Sequence, residues 1–310
     1  MFSANAATPH LGSAAAPRLN EIQFIGSHNS YKKAMSPTYA AALQATNRAA
    51  AITLDYAHLP IGAQLDLGIR KLELDLFNNR ADEDFTVGHV QVIDMNSHCE
   101  VLRVCLRLIR AWSKTRPRHV PIWIGFNLKD EPVSGLPDPA PFDGVALDRL
   151  DRTLREGLGD TILQPGTVGP GRWPSIDDVR GRFLLILDHT DHKRDLYAKT
   201  WQKRPMFVTV EPEHPAAAVM VINDLVLEFE RIRESVLAGF LVRTRADADT
   251  REARSGDITR RDKALESGAH AISTDYYIPA THFGTGYLVD PAVGVRCNPV
   301  TTKQVCRVEE

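Results

Sequence analysis

Apolar and polar positions alternate in short bursts along most of this chain, and between the bursts the apolar repeat lengthens to the spacing of a helix. IRKLELDLF sets Leu72, Leu74 and Leu76 on one face against Lys71, Glu73 and Asp75 on the other. PIWIGFNLK sets Ile122, Ile124, Phe126 and Leu128 against Gly125, Asn127 and Lys129. QFIGSHN, FTVGHV, RFLLILD, PMFVTVEP, GFLVRTRAD and AHAISTDY complete a series of eight expected strands. Helices are expected between them. PIGAQLDLG has proline at its start and glycine at its stop. CEVLRVCLRLIRAWSKT lines up Leu102, Cys105, Leu106, Ile109 and Trp112 on one stripe. Further helical patterns cover Val145–Leu158, Ala216–Leu237 and the charged stretch DTREARSGDITRRDKALESG.

Strands separated by helices predict a parallel sheet, and eight of them favour a closed TIM-like (β/α)8 barrel over an open one. No Gly-x-Gly-x-x-Gly follows a strand, which counts against a dinucleotide fold. With no linker or charge run to divide it, the chain reads as a single α/β domain over 20–277. Residues 1–19 form a poorly ordered leading segment, and 278–310 a capping extension.

Composition narrows the class. Hydrophobic residues make up 43% and charged residues 25%, ordinary values for a folded chain. Lys plus Arg number 37 against 39 for Asp plus Glu, and a net charge of -2 offers no bulk attraction to nucleic acid. No apolar run reaches the roughly 18 residues of a membrane span. A monomer is expected. The first residues, MFSANAATPHLGSAAAPRL, lack the basic and apolar regions of a signal peptide and look like what remains after one is removed. The four cysteines fall into two local pairs, Cys99 with Cys105 and Cys297 with Cys306, compatible with disulfides and secretion. Neither pair has the spacing of a zinc knuckle. Six residues along a helix span about 9 Å, so Cys99 must precede its helix if the first bridge is to form.

Candidate chemistry follows from strand parity. A barrel strand packs its apolar face on the surrounding helices, which turns Lys71, Glu73, Asp75, Asn127, Lys129, Arg243, Arg245, Asp247, Ser273 and Asp275 inward. Charges inside a barrel, near the C-terminal ends of its strands, are what an active site there requires. An amphipathic sheet with one wet face is the bland alternative, uncommon for parallel strands. His28 in GSHNSY and His89 in VGHV end two of the expected strands, and two histidines on one rim can divide general base and general acid work. His189, His192 and His214 read as solvated loop residues. Asn29, Glu73 and Asp75 offer oxygen donors alone, which suit calcium or magnesium. Lys129, Arg243 and Arg245 are placed to hold phosphate oxygens.

GSHNSY, KLELDLF, VGHV, SHCEVLRVCLRLIRAWS, FNLKDEP, VRTRADADTREAR and SGAHAISTDY together resemble the bacterial and fungal calcium-dependent phosphoinositide phospholipases C. They are also similar to the catalytic X region of the eukaryotic enzymes. The resemblance runs from about Asn20 to Tyr276, with RCNP near Cys297 added. It implies a TIM-like barrel that cleaves phosphatidylinositol to diacylglycerol and inositol cyclic phosphate at a membrane surface, bound peripherally and transiently. His28 would deprotonate the inositol 2-hydroxyl, and His89 would steady the phosphoryl charge and protonate the leaving group. Asn29, Glu73, Asp75 and Asn127 would hold Ca2+, while Lys129, Arg243, Arg245 and Asp275 would contact substrate. One position departs from the family: Asn127 stands where a glutamate is usual, removing a negative charge from the site. Two alternatives stay open, another barrel phosphodiesterase of glycerophosphodiester or sphingomyelin type, and a weakly active or inactive headgroup-binding relative.

Overall fold

The computed structural model describes residues 16–79, 84–302 and 308–310. The chain opens with β1 (Ile22–Ser27), three short helices α1 (Pro37–Thr46), α2 (Arg48–Thr53) and α3 (Ile61–Asp66), then β2 (Lys71–Asn78) and β3 (Phe85–Val87). There follow α4 (Leu102–Thr115), β4 (Ile122–Lys129), α5 (Gly144–Leu158), β5 (Phe183–Leu187), α6 (His192–Ala198), β6 (Phe207–Val208) and β7 (Val219–Val221). The last part holds α7 (Leu225–Leu237), β8 (Leu241–Arg245), α8 (Arg251–Ser255), α9 (Thr259–Glu266), β9 (Ala271–Thr274) and β10 (Arg296–Cys297).

Eight parallel strands run in the order β6-β5-β4-β2-β1-β9-β8-β7, and the end strands β6 and β7 approach each other to give a nearly closed TIM-like barrel. Two of the expected elements are reassigned. FTVGHV supplies β3, which pairs antiparallel with β2 and is not a barrel strand. The missing barrel strand is β7, inside the stretch from Ala216 to Leu237 expected to be one helix; α7 starts only at Leu225, with the Asp224 side chain capping the Leu227 N–H. Alanines and Met220 gave β7 a helical signature, but pairing Val219 with Leu241 and Val221 with Arg243 overrides propensity.

The parity expectation holds in detail. Leu72, Leu74 and Leu76 are fully buried against the helices, in the same apolar layer as Leu102, Leu106 and Ile109 of α4. Inside the barrel, Phe24, Trp123, Leu184, Ile186, Phe207, Val219 and Leu241 form a separate apolar plug. Trp123 lies in register with Lys71, and Gly125 with Glu73, so the charged layer stacks on the plug toward the C-terminal ends of the strands. Gly26 is required there: a Cβ on it would lie 2.3 Å from the Lys71 Cβ.

Cys99 and Cys105 form a disulfide with their Cα atoms 5.2 Å apart. That distance is reached because Val101, which caps α4, is extended at φ -135° and Cys99 stands before the helix. Cys306 lies outside the described residues; Cys297 is not a free thiol. The segment after Tyr277 returns to the N-terminal end of the barrel. There β10 pairs antiparallel with β1, and the Glu310 carboxylate accepts from Arg70 Nε at 2.7 Å and from the Val120 N–H at 2.8 Å. Among the described residues no helix is long and apolar enough to cross a membrane.

Candidate active site

His28 and Asn29 follow β1 directly, in a loop stitched to β2 by two reciprocal bonds. The Ser30 N–H donates to the Glu73 carbonyl at 3.0 Å, and the Glu73 N–H donates to Ser30 Oγ at 2.8 Å. Gln64 of α3 ties the same loop through Ser27 Oγ at 2.7 Å and the Ser30 carbonyl at 2.6 Å. Asn29 takes a left-handed conformation, φ 46°, which asparagine tolerates better than most residues. The serines of GSHNSY therefore fix the loop so that its histidine and asparagine meet the carboxylates of β2.

The His28 ring is held through Nδ1, 2.9 Å from Asp275 Oδ1, and its Nε2 lies 3.5 Å from Glu73 Oε1. Burial pulls the His28 pKa down, and the nearby Arg245 cation adds to this; Asp275 and Glu73 oppose it without prevailing. Burial alone would raise Asp275, but His28 and Arg245 outweigh it and hold that carboxyl below its usual range. A neutral imidazole with its Nδ1–H toward a carboxylate and its Nε2 lone pair available is suited to accept a proton.

His89 is built the same way. Gly88 donates its N–H to the Asp75 carbonyl at 3.2 Å, which brings the loop after β3 onto the end of β2. His89 Nδ1 then lies 3.1 Å from Asp94 Oδ2, and the other oxygen of Asp94 receives Lys32 Nζ at 3.0 Å. Asp94 was not among the residues expected from sequence. Its signal was a carboxylate five positions beyond a histidine, too common to single out, whereas the tight turn that brings it back is invisible without coordinates. His58 was missed as well. It is buried, stacks on Tyr277 with ring centroids 5.3 Å apart, lies 2.6 Å from the His28 carbonyl through Nε2, and burial pushes its pKa down to about 4. A neutral His58 therefore donates to that carbonyl and fixes the backbone of His28.

The expected cation ligands are distributed around two ion clusters. Glu73 bonds Lys71 Nζ and, at 2.8 Å, Arg243 Nη2; all three side chains are almost fully buried. Burial lowers Lys71 to about 8 in spite of Glu73 beside it. Glu73 itself sits well below its usual range, the burial penalty being outweighed by Lys71 and Arg243. Asp75 pairs through Oδ2 with Lys129 Nζ at 3.0 Å, and Asn127 stands beside Asp75 in register. Arg243 is thus occupied inside the barrel, while Arg245, with 16% of its side chain exposed, reaches the rim 3.4 Å from Asp275. Asp247 accepts from the Asp275 N–H at 2.9 Å, and burial together with the Asp275 charge lifts it to about 7.

Two oxygens in this set have no hydrogen-bond partner although both are buried: Asn29 Oδ1 and Asp75 Oδ1. The Asn29 amide is turned by its Nδ2, which donates to the Tyr56 hydroxyl at 2.8 Å, so its oxygen is left over. Orphaned hard oxygens beside two carboxylates fit a hard dication such as calcium. Among the described residues no group of three or more His, Cys, Asp and Glu side chains is placed to hold a metal ion, so a hard ion here would need amide oxygens as well as carboxylates. His189 is not the solvated loop residue expected but is buried, because its Nε2 accepts from the Leu128 N–H at 2.7 Å and its Nδ1 lies 3.3 Å from Asp191, while His192 opens helix α6.

The family model described as "Phosphoinositide phospholipase C, Ca2+-dependent" matches residues 17–87 and 78–299, spanning the barrel and every residue of the rim just described. The chain belongs to this family. No curated protein matches it by sequence. Among solved structures, this phosphoinositide phospholipase C family chain is similar in fold to the calcium-dependent enzyme of a Pseudomonas species, at 16% identity and a TM-score of 0.59 over 83% of this chain and 90% of that one. The Streptomyces antibioticus enzyme gives 19% identity and a TM-score of 0.57 over 86% and 98%. The Listeria monocytogenes phosphatidylinositol-specific enzyme gives 14% and 0.52 over 85% and 90%.

Proposed function

We propose that this phospholipase C family member cleaves phosphatidylinositol to diacylglycerol and inositol cyclic phosphate by histidine acid–base catalysis. The observation that carries the reading is the pair of histidines beside the ends of β2, each backed through Nδ1 by a buried aspartate. His28 Nε2 takes the proton of the inositol 2-hydroxyl; that oxygen bonds to phosphorus as the bond to the glycerol oxygen breaks; His89 returns a proton to the departing alkoxide. Asp275 and Asp94 hold the two imidazoles in the required tautomers. Arg245 and Lys129 supply positive charge at the rim for the phosphate oxygens. Asn29, Glu73, Asp75 and Asn127 would hold calcium, which when bound neutralises charge developing on the phosphoryl oxygen. The Cys99–Cys105 bridge supports an oxidising, extracellular setting for this work.

Phosphorus NMR of phosphatidylinositol turnover, with calcium and with a chelator, tests the reading. A cyclic phosphodiester signal that needs calcium is the expected result. An open phosphomonoester as the first product, or no product with calcium present, would point to one of the alternative readings instead.

Asn127 gives a second expectation. Asn127→Glu adds a carboxylate beside Asp75, and a unit charge about 4 Å from a dication is worth roughly 8 kcal/mol before desolvation at an effective dielectric near 20, most of which desolvation cancels. Calcium affinity should rise by about tenfold or more, although Lys129 will claim part of the new charge. Calorimetric titration of both proteins decides it: equal dissociation constants would exclude position 127 from the ligand set.

A further inference from the structure

Between β1 and α3 the chain departs from its strand–helix rhythm. Helices α1 and α2 bury none of their side chains. Ala50–Thr53 of α2 are half-buried, but most of α1 is exposed, and helix surface left to water is ordinarily kept there by charge. Yet from Ala34 to Leu54 the sequence AMSPTYAAALQATNRAAAITL holds one charged residue, Arg48. The two helices owe their ends to caps: Ser36 Oγ accepts from the Tyr39 N–H at 3.3 Å, and Asn47 Oδ1 from the Ala50 N–H at 3.1 Å.

Against this hairpin lies a groove of about 700 Å³, lined among others by Met35, Ala41, Ala51, Ile52, Leu54 and Tyr56. That volume is within the range of roughly 300–1,000 Å³ that holds small organic ligands. Its lining charges are largely spent, since Arg254 is paired with Asp55 at 2.6 Å; Arg48 makes no ion pair among the described residues. Tyr56 belongs both to the groove and to the rim. Its hydroxyl accepts from Asn29, and its ring centroid is 6.0 Å from that of His28. An apolar, slightly cationic groove therefore starts beside His28, the residue read above as the general base.

We propose that this groove binds an acyl chain of the glycerolipid whose phosphate lies at His28. The proposal rests on the phosphodiesterase reading above for the identity of that lipid, because the bond cut joins the headgroup phosphate to a glycerol bearing fatty chains. With the phosphate at His28, the glycerol and its chains lie only a few bonds from Tyr56. Beyond the Arg254–Asp55 pair the polar lining is Gln44, Arg48 and His282, and the rest is alanine, Met35, Ile52, Leu54 and Tyr56, along which a hydrocarbon chain loses contact with water.

The test uses the full chain and lipids kept below their micelle concentrations. Calorimetric titration with dihexanoyl-phosphatidylcholine, whose headgroup lacks the reacting hydroxyl, should show binding that chain-free glycerophosphocholine does not. Ala41→Trp, which fills the groove, should weaken that binding at least five-fold, and Ala41→Asp should act in the same direction if the larger residue disturbs folding. In turnover, the KM of monomeric phosphatidylinositols should fall by about two-fold per added methylene, less than the roughly four-fold of complete burial. Ala41→Trp should flatten this dependence while kcat for the dibutanoyl substrate stays the same. Equal lipid affinity in both proteins, or a chain-length effect confined to micelles, overturns the groove. Chain-dependent binding without turnover of any phosphoinositide keeps the groove and overturns the phosphodiesterase reading.

Discussion

His28→Ala lowers turnover by about 10²–10⁴-fold, the usual worth of a general base, and leaves the fold in place. The fold survives because the His28 ring is 17% exposed at the rim and not part of the apolar layers. Removing it leaves Arg245 as the cation within ion-pair reach of Asp275 among the described residues, since the neutral His58 carries no charge. His89→Ala should lose activity on the same scale for the second proton transfer. The pH profile carries the sign of the environment. The base must be neutral to act, and burial moves the His28 pKa down from 6.5, so the acid limb of kcat/KM should fall below that value. Asp275→Asn removes the carboxylate that opposes this drop, and should move the limb to still lower pH while cutting kcat. Near-normal turnover by the His28 variant, with an unchanged circular dichroism spectrum, would take His28 out of the mechanism.

Glu73→Ala should be the most destabilising single change in the barrel, by about 3–5 kcal/mol, the usual cost of breaking a buried ion cluster from one side. Lys71 and Arg243 are 1% and 2% exposed, and without Glu73 both cations remain in the barrel with much of their charge uncompensated. Lys71 can respond by losing its proton, since burial has already brought it down to about 8, whereas Arg243 cannot. Glu73→Gln keeps the volume and one acceptor and should lose less. Chemical denaturation of both variants checks this. If the alanine variant unfolds at the same denaturant concentration as the parent, the cluster contributes nothing to stability, and Glu73 is held for function alone.

Much of this was legible in the chain because strands write their faces with a period of two. KLELD placed Lys71, Glu73 and Asp75 inside before any coordinate, and the structure puts them there. What failed was local. Three-residue β7 is too short for periodicity to register, and its alanine-rich flank reads as helix; β3 has strand character but pairs outside the barrel. The partners of the two histidines divide in the same way. Asp275 shares a strand face with Ser273 and was legible as an inward carboxylate, though its contact with His28, 247 residues away, was not. Asp94 and His58 sit on loops, where no period marks direction, and their placement comes from tertiary hydrogen bonds alone.

The Glu310 contacts and the β10 pairing have a practical side. Glu310 bonds Arg70, the residue before β2, and Val120, two residues before β4, while Arg18, four residues ahead of β1, bonds the Trp173 carbonyl. Both described ends of the chain are therefore fastened to the face opposite the catalytic rim. A fluorophore or a surface tether carried beside these contacts, for instance at the exposed Glu309, would hang from the far side of the barrel, so the molecule can be anchored on a sensor chip with its rim presented to an approaching vesicle.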